Sequence, residues 1–157
     1  MENLFIKAAL QSWDIQITRT EKIFNQLSDD DLLRHIAPGR NSALYLLGHL
    51  IAVHDAMSEI LGTGKAAYPE LQAAFIKSPD GSGLELPTAE ELRYYWKLVH
   101  ERLKKELLSI SDAEWITRHT AMTDEDFEKD PGRNKFAVFL NRTNHLAFHL
   151  GQLRLLV

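Results

Sequence analysis

The residues in this chain best suited to chemistry are two histidines four positions apart, in Asn144-His145-Leu146-Ala147-Phe148-His149-Leu150-Gly151-Gln152. A helix advances about 100° per residue, so positions i and i+4 lie roughly 40° apart on one face. Two imidazoles at that spacing can grip one divalent metal ion if a third ligand comes from elsewhere in the chain. Three neutral imidazoles would leave the ion its full positive charge and an open position, the pattern of a catalytic rather than a purely structural zinc site.

The other histidines can be sorted by the face each occupies. His49 has Tyr45, Leu46, Ala52 and Val53 as its neighbours by i±3 and i±4, with Ser42, Ala56 and Ile60 a turn or two away. That is an apolar face, and it should turn His49 inward at mid-height. His54 lies about 140° round the same helix, so the two cannot easily share one ion. His35 and His119 fall in predicted connections, and His100 stands among charged neighbours. His49 is therefore the candidate third ligand. Asn141 and Gln152 lie in line with His145 and His149, placed to orient ligands or to line a pocket. By residue type and spacing alone, two arrangements remain open: a three-histidine metal site, or core histidines hydrogen-bonded to neighbours.

Four long amphipathic segments would have to position these side chains. The first runs from Asn3 to Leu27, with Leu4, Phe5, Ala8, Ile15, Phe24 and Leu27 loosely at helical spacing and no proline or glycine to interrupt it. Ser28-Asp29-Asp30-Asp31 can cap a short turn through Leu32 and Leu33. After the break at Pro38-Gly39, Asn41 or Ser42 can cap a second helix from Ala43 to about Leu61, stopped by Gly62. The glycine- and proline-rich stretch from Gly62 to Pro87 reads as a long connection with a short helix at Glu70–Lys77. Thr88-Ala89-Glu90-Glu91 forms a capping box for a third helix to about Ser109, its buried stripe being Leu92, Trp96, Val99, Leu103 and Leu107. Ile110 to Asn134 reads as a polar connection, and Phe136 to Val157 as the fourth helix. Strand-type alternation is absent. The expectation is an all-α four-helix bundle, one domain over residues 1–157, in which Trp13, Trp96, Trp115, Phe136, Phe139 and Phe148 serve as core or subunit-contact residues.

Composition bounds the function. The 157 residues are 45% hydrophobic and 25% charged, the balance of an ordinary globular chain. There is no cysteine, which excludes a disulfide framework, a thiolate metal site and a catalytic thiol of the chain's own. Any thiol chemistry would need the thiol to arrive as a substrate. The net charge of −4 speaks against a nucleic-acid partner. The densest basic spot, Arg102-Leu103-Lys104-Lys105 between Glu101 and Glu106, reads as a solvated helix surface. Met1-Glu2-Asn3 opens no signal-like or membrane-spanning run, so the cytoplasm, with no membrane partner, is the expected location.

The string Asn41-Ser42-Ala43-Leu44-Tyr45-Leu46-Leu47-Gly48-His49-Leu50, followed about a hundred residues later by His145-x-x-x-His149-x-Gly151-Gln152, resembles the DinB/YfiT-like family over nearly the whole chain. The resemblance implies a bundle in up-down-down-up order, in keeping with the long connection between helices two and three. It also implies a divalent ion, commonly zinc, nickel or iron, bound by His49, His145 and His149. Relatives include transferases that use low-molecular-weight thiols as cosubstrates, and members are commonly homodimers. The implied activity is thiol-dependent S-transfer to small electrophilic molecules. The alternatives are a hydrolase using metal-activated water and a non-catalytic metal-binding or stress-related helical protein.

Overall fold

The computed structural model describes residues 4–157, and among them every regular element is helical. In chain order these are α1 (Leu4–Gln26), α2 (Asp29–Leu32), α3 (Ala43–Asp55), α4 (Met57–Leu61), α5 (Leu71–Phe75), α6 (Ala89–Ser109), α7 (Asp112–Trp115), α8 (Asp124–Lys129) and α9 (Lys135–Leu153), the last closed by a 3-10 turn over Arg154–Leu156. The helix starts follow the side chains that satisfy their free amides. Ser28, Thr88 and Ser111 make full capping boxes with Asp31, Glu91 and Glu114, while Ser42, Thr123 and Asn134 each accept one amide of the helix they precede. Gly62 ends α4 at φ 73°, in the left-handed region where a side chain would be strained.

Two expectations about the helical elements need correction. The second helix is not continuous to Leu61 but is interrupted at Ala56, which keeps right-handed dihedrals (φ −65°, ψ −18°). The connection from Ile110 to Asn134 is not featureless, since it holds α7 and α8. Elements of four and six residues are too short to show a hydrophobic period. Their signal lies in the caps: Ser111 precedes Glu114 by three residues, as Thr123 precedes Asp126. The proposed helical turn at Glu70–Lys77 is present in shorter form as α5.

The long helices pack as α3 on α6 and α1 on α9, with further contacts of α1 on α6 and α3 on α9; α5 lies across α3. The predicted stripe of α6, Leu92, Trp96, Val99, Leu103 and Leu107, is buried throughout. Helix α3 is enclosed nearly all round: of its 13 residues only Leu44 and His49 keep appreciable exposure. Ala43–Leu61 is thus long and apolar enough to cross a membrane, but 72% of it is buried inside the protein, as the central helix of a helical core would be. Leu4 and Phe5, among the apolar residues loosely at helical spacing in α1, are 71% and 84% exposed, and Phe148, expected in the core or at a subunit contact, is 63% exposed and so lies outside the core. Trp13, Trp96, Trp115 and Phe139 are buried as expected.

Arg102 corrects the reading of its basic cluster as wholly solvated. Its guanidinium turns inward to Asp55 (2.8 Å) and Glu106 (3.2 Å). The same Asp55 carboxylate, buried at the end of α3, accepts the amides of Ala67 (2.9 Å) and Tyr68 (2.8 Å). One charge therefore pins the start of the long connection to the helix core. Asp55→Ala should destabilise the fold by about 2–4 kcal/mol in urea unfolding, because it strands the two amides and leaves Arg102 with Glu106 as its remaining carboxylate. A loss below about 1 kcal/mol would show that solvent satisfies these groups instead.

Candidate metal centre

The fold brings His49 of α3 to His145 and His149 of α9, and their donor nitrogens all lie within 4.8 Å of one another. His145 Nε2 stands at the centre, 3.2 Å from His49 Nε2 and 3.1 Å from His149 Nε2. The rings are edge-on to one another, with interplanar angles of 65°, 76° and 88°. None of the three is fully buried, so the cluster lies at an edge of the core rather than sealed inside it.

The outer nitrogens decide what the inner ones present. His49 Nδ1 is 2.8 Å from the carbonyl oxygen of Phe75, which can only accept, so Nδ1 carries the proton and the neutral ring offers Nε2 as a bare lone pair. His149 Nδ1 likewise donates to Gln152 Oε1 at 2.7 Å. Gln152 therefore fills the orienting role its position suggested, whereas Asn141 is exposed. Two lone pairs thus face His145 Nε2. Either a proton on that nitrogen or a cation shared among the three answers them.

The donor set fits a cation. Ligands arranged tetrahedrally about zinc at about 2.0–2.1 Å stand roughly 3.3–3.4 Å apart, close to the separations seen around His145. Charge points the same way. Burial, then the neighbouring His149 and His49, holds the His145 pKa down at about 4, so the ring is neutral at physiological pH. His149 is also lowered, mainly by burial. Neutral imidazole is the form that binds metal.

Second contacts hold the site in place. Phe75 reaches His49 because α5 crosses α3 at Gly48, where a Cβ would collide with the Phe75 ring. Tyr45 lies parallel to His49, centroids 6.2 Å apart, and fixes the covering chain through a 2.7 Å bond to the carbonyl of Ser78. Gly48→Ala is expected to cost about 1–3 kcal/mol through overpacking. It should also weaken metal binding about 10-fold or more by pulling the carbonyl off His49. Parallel urea unfolding and metal titration would check both, and unchanged values would show that α5 can shift freely.

The remaining histidines separate as the face argument required, with one exception. His35 is exposed and bonds the carbonyl of Arg40, and His119 accepts the amide of Ala121; neither approaches the cluster. His54 also stays outside it. His100, set aside for its charged neighbours, is buried against Trp96 and His54. Its signal was positional: residue 100 falls four after Trp96 and three before Leu103, on the buried stripe itself.

No curated protein matches the chain closely enough to indicate a relative. The profile of the DinB superfamily matches residues 12–153, a span that takes in α3, α9 and all three clustered histidines. With that match over nearly its whole length, the chain belongs to the DinB superfamily.

Proposed function

We propose that the protein is a metal-dependent enzyme that transfers a low-molecular-weight thiol to small electrophilic molecules, with a divalent ion held by His49, His145 and His149. The observation that carries this reading is the convergence of three imidazole Nε2 atoms at a partly exposed edge, two of them with their outer nitrogens already tied to acceptors. A divalent ion in that cluster would lower the pKa of an incoming thiol and hold it as a thiolate nucleophile. The chain's own part is to present three imidazole nitrogens and to keep the His49 and His149 rings oriented through Phe75 and Gln152. Having no cysteine, it must take its sulfur from the cosubstrate. In the transfer, the sulfur bonds the electrophilic carbon, the leaving group departs with the electron pair of the broken bond, and the thiol proton passes to water.

The same reading gives the chain a DinB-like four-helix bundle, residues 1–157 forming one domain, with α1, α3–α4, α6 and α9 in up-down-down-up order. The long connection from Gly62 to Pro87 and the pairing of α3 with α6 and α1 with α9 support that order. It would act in the cytoplasm on small molecules, without nucleic-acid or membrane partners, as a homodimer. Exposed Leu140, Phe148 and Leu155, all near the C-terminal end, offer apolar surface for self-association.

The test is metal content followed by thiol consumption. Purified protein should carry close to one zinc, nickel or iron ion per chain and His145→Ala almost none; equal, negligible metal in both would sink the proposal. The metal-loaded protein should then consume thiol in the presence of an electrophilic acceptor. Hydrolysis of test esters or amides without any thiol loss would replace transfer with metal-activated water as the chemistry.

A further inference from the structure

His54 and His100 lie outside the three-histidine cluster and are buried more deeply than its members: His54 is fully enclosed and His100 is 8% exposed. They form a directed chain. His54 Nδ1 is 2.8 Å from His100 Nε2, and His100 Nδ1 is 2.8 Å from the carbonyl oxygen of Trp96. That carbonyl can only accept, so His100 Nδ1 carries the proton and its Nε2 is the acceptor. His54 must then donate from Nδ1, which leaves its Nε2 as a bare lone pair, buried and with no protein donor. Both rings stay neutral, since burial holds His100 at about 3 and pushes His54 well below the ordinary histidine value.

His145 has the complementary need. When Nε2 serves as a ligand, the neutral ring carries its proton on Nδ1, and that nitrogen is buried without a protein partner. The other two rings of the cluster have Phe75 and Gln152 in this role. His54 follows His49 by five residues on α3, the helix that carries His49 Nε2 to 3.2 Å from His145 of α9, and Trp13 packs against both the His54 ring and Phe139 of α9. A buried acceptor lacking a donor and a buried donor lacking an acceptor, on two helices packed together in one core, are what internal water molecules bridge.

We propose that His54 is a positioning residue for His145: its bare Nε2, fixed by the chain through His100 to the Trp96 carbonyl, takes up the His145 Nδ1–H through ordered water and holds His145 Nε2 toward the metal. Arg142 Nε and Trp96 Nε1 are two further buried donors without protein partners. A water accepts two hydrogen bonds, so it can serve one of them together with His145. The inference rests on reading the cluster as a metal site.

Long-range nitrogen–proton NMR of the imidazoles tests the first half on the unaltered protein. His54 should be protonated at Nδ1 and bare at Nε2; the opposite tautomer overturns the proposal. Zinc titration tests the second half. His54→Phe should fold with near-native melting, bind zinc about 10–100-fold more weakly, and lose the exchange protection of the His145 Nδ1 proton in the zinc-loaded protein. His54→Gln, whose amide oxygen can accept the same water, should restore affinity to within about threefold of the original. His100→Leu removes the acceptor that fixes the His54 tautomer and should reproduce the loss. Zinc affinity unchanged in both His54→Phe and His100→Leu, beside normal binding by the original protein, overturns this inference alone. An original protein that takes up no zinc overturns the metal-site reading and this inference with it.

Discussion

His145→Ala is expected to weaken zinc binding by about 10²–10³-fold, the largest effect of any single change in the cluster. The apparent binding free energy of a four-ligand zinc site, about 10–16 kcal/mol, amounts to roughly 2.5–4 kcal/mol per ligand, and each 1.4 kcal/mol is about tenfold in affinity. His145 is the ligand to remove because its Nε2 stands within 3.2 Å of both other donors, so its loss opens the centre of the set rather than an edge. Competition against a chromophoric chelator would read the change directly. His35→Ala, on an exposed ring outside the cluster, should leave affinity unaltered. If His145→Ala bound as tightly as the original, the three nitrogens would have to be explained as hydrogen-bonded partners, with His145 Nε2–H answering the lone pairs of His49 and His149.

The second large effect is on stability in acid. His54 and His100 are enclosed, and burial is the first cause of the depression of both; the value for His100 falls to about 3. In the unfolded chain each titrates near 6.5. Between those values the unfolded state binds protons that the folded state does not, so stability falls as pH drops below about 6.5 and gains nothing from these groups above about 7. The slope is about 1.4 kcal/mol per pH unit for each ring, which gives a loss of roughly 4 kcal/mol between pH 7 and pH 5 for the pair. In the metal-free protein His145, held at about 4, should steepen the loss. Urea unfolding at several pH values should show an uptake of about two protons or more on unfolding near pH 5.5. His100→Leu should reduce that uptake by about one. A stability that stayed level from pH 7 to pH 5 would mean that both rings reach water in the folded protein.

The boundaries of the helices were legible because local chemistry sets them. Thr88 and Glu91 close a capping box whatever packs around it, and Gly62 supplies a left-handed stop at the end of α4. The buried stripe of α6 and the shared face of His145 and His149 follow from helical period alone. Less visible were α7 and α8, which are too short to carry a period, and the exposed positions of Phe5 and Phe148. Residue type does not say which end of an amphipathic helix its neighbours leave uncovered.

Tertiary structure alone decided the meeting of His49 with a residue 96 positions away, because a face assignment gives a direction but not a partner. It also supplied the outer contact of His49. Phe75 offers a backbone carbonyl, which has no residue signature, and it arrives only because Gly48 lets α5 lie close against α3. The deep burial of His100 depended on the whole surround of Trp13, Trp96 and His54, which outweighed its charged sequence neighbours by pointing them elsewhere on the helix. The sequence by itself determined which nitrogens were available and on which helix faces. Packing decided which of them meet and which proton each one keeps, because imidazole tautomers are set by partners brought from distant parts of the chain.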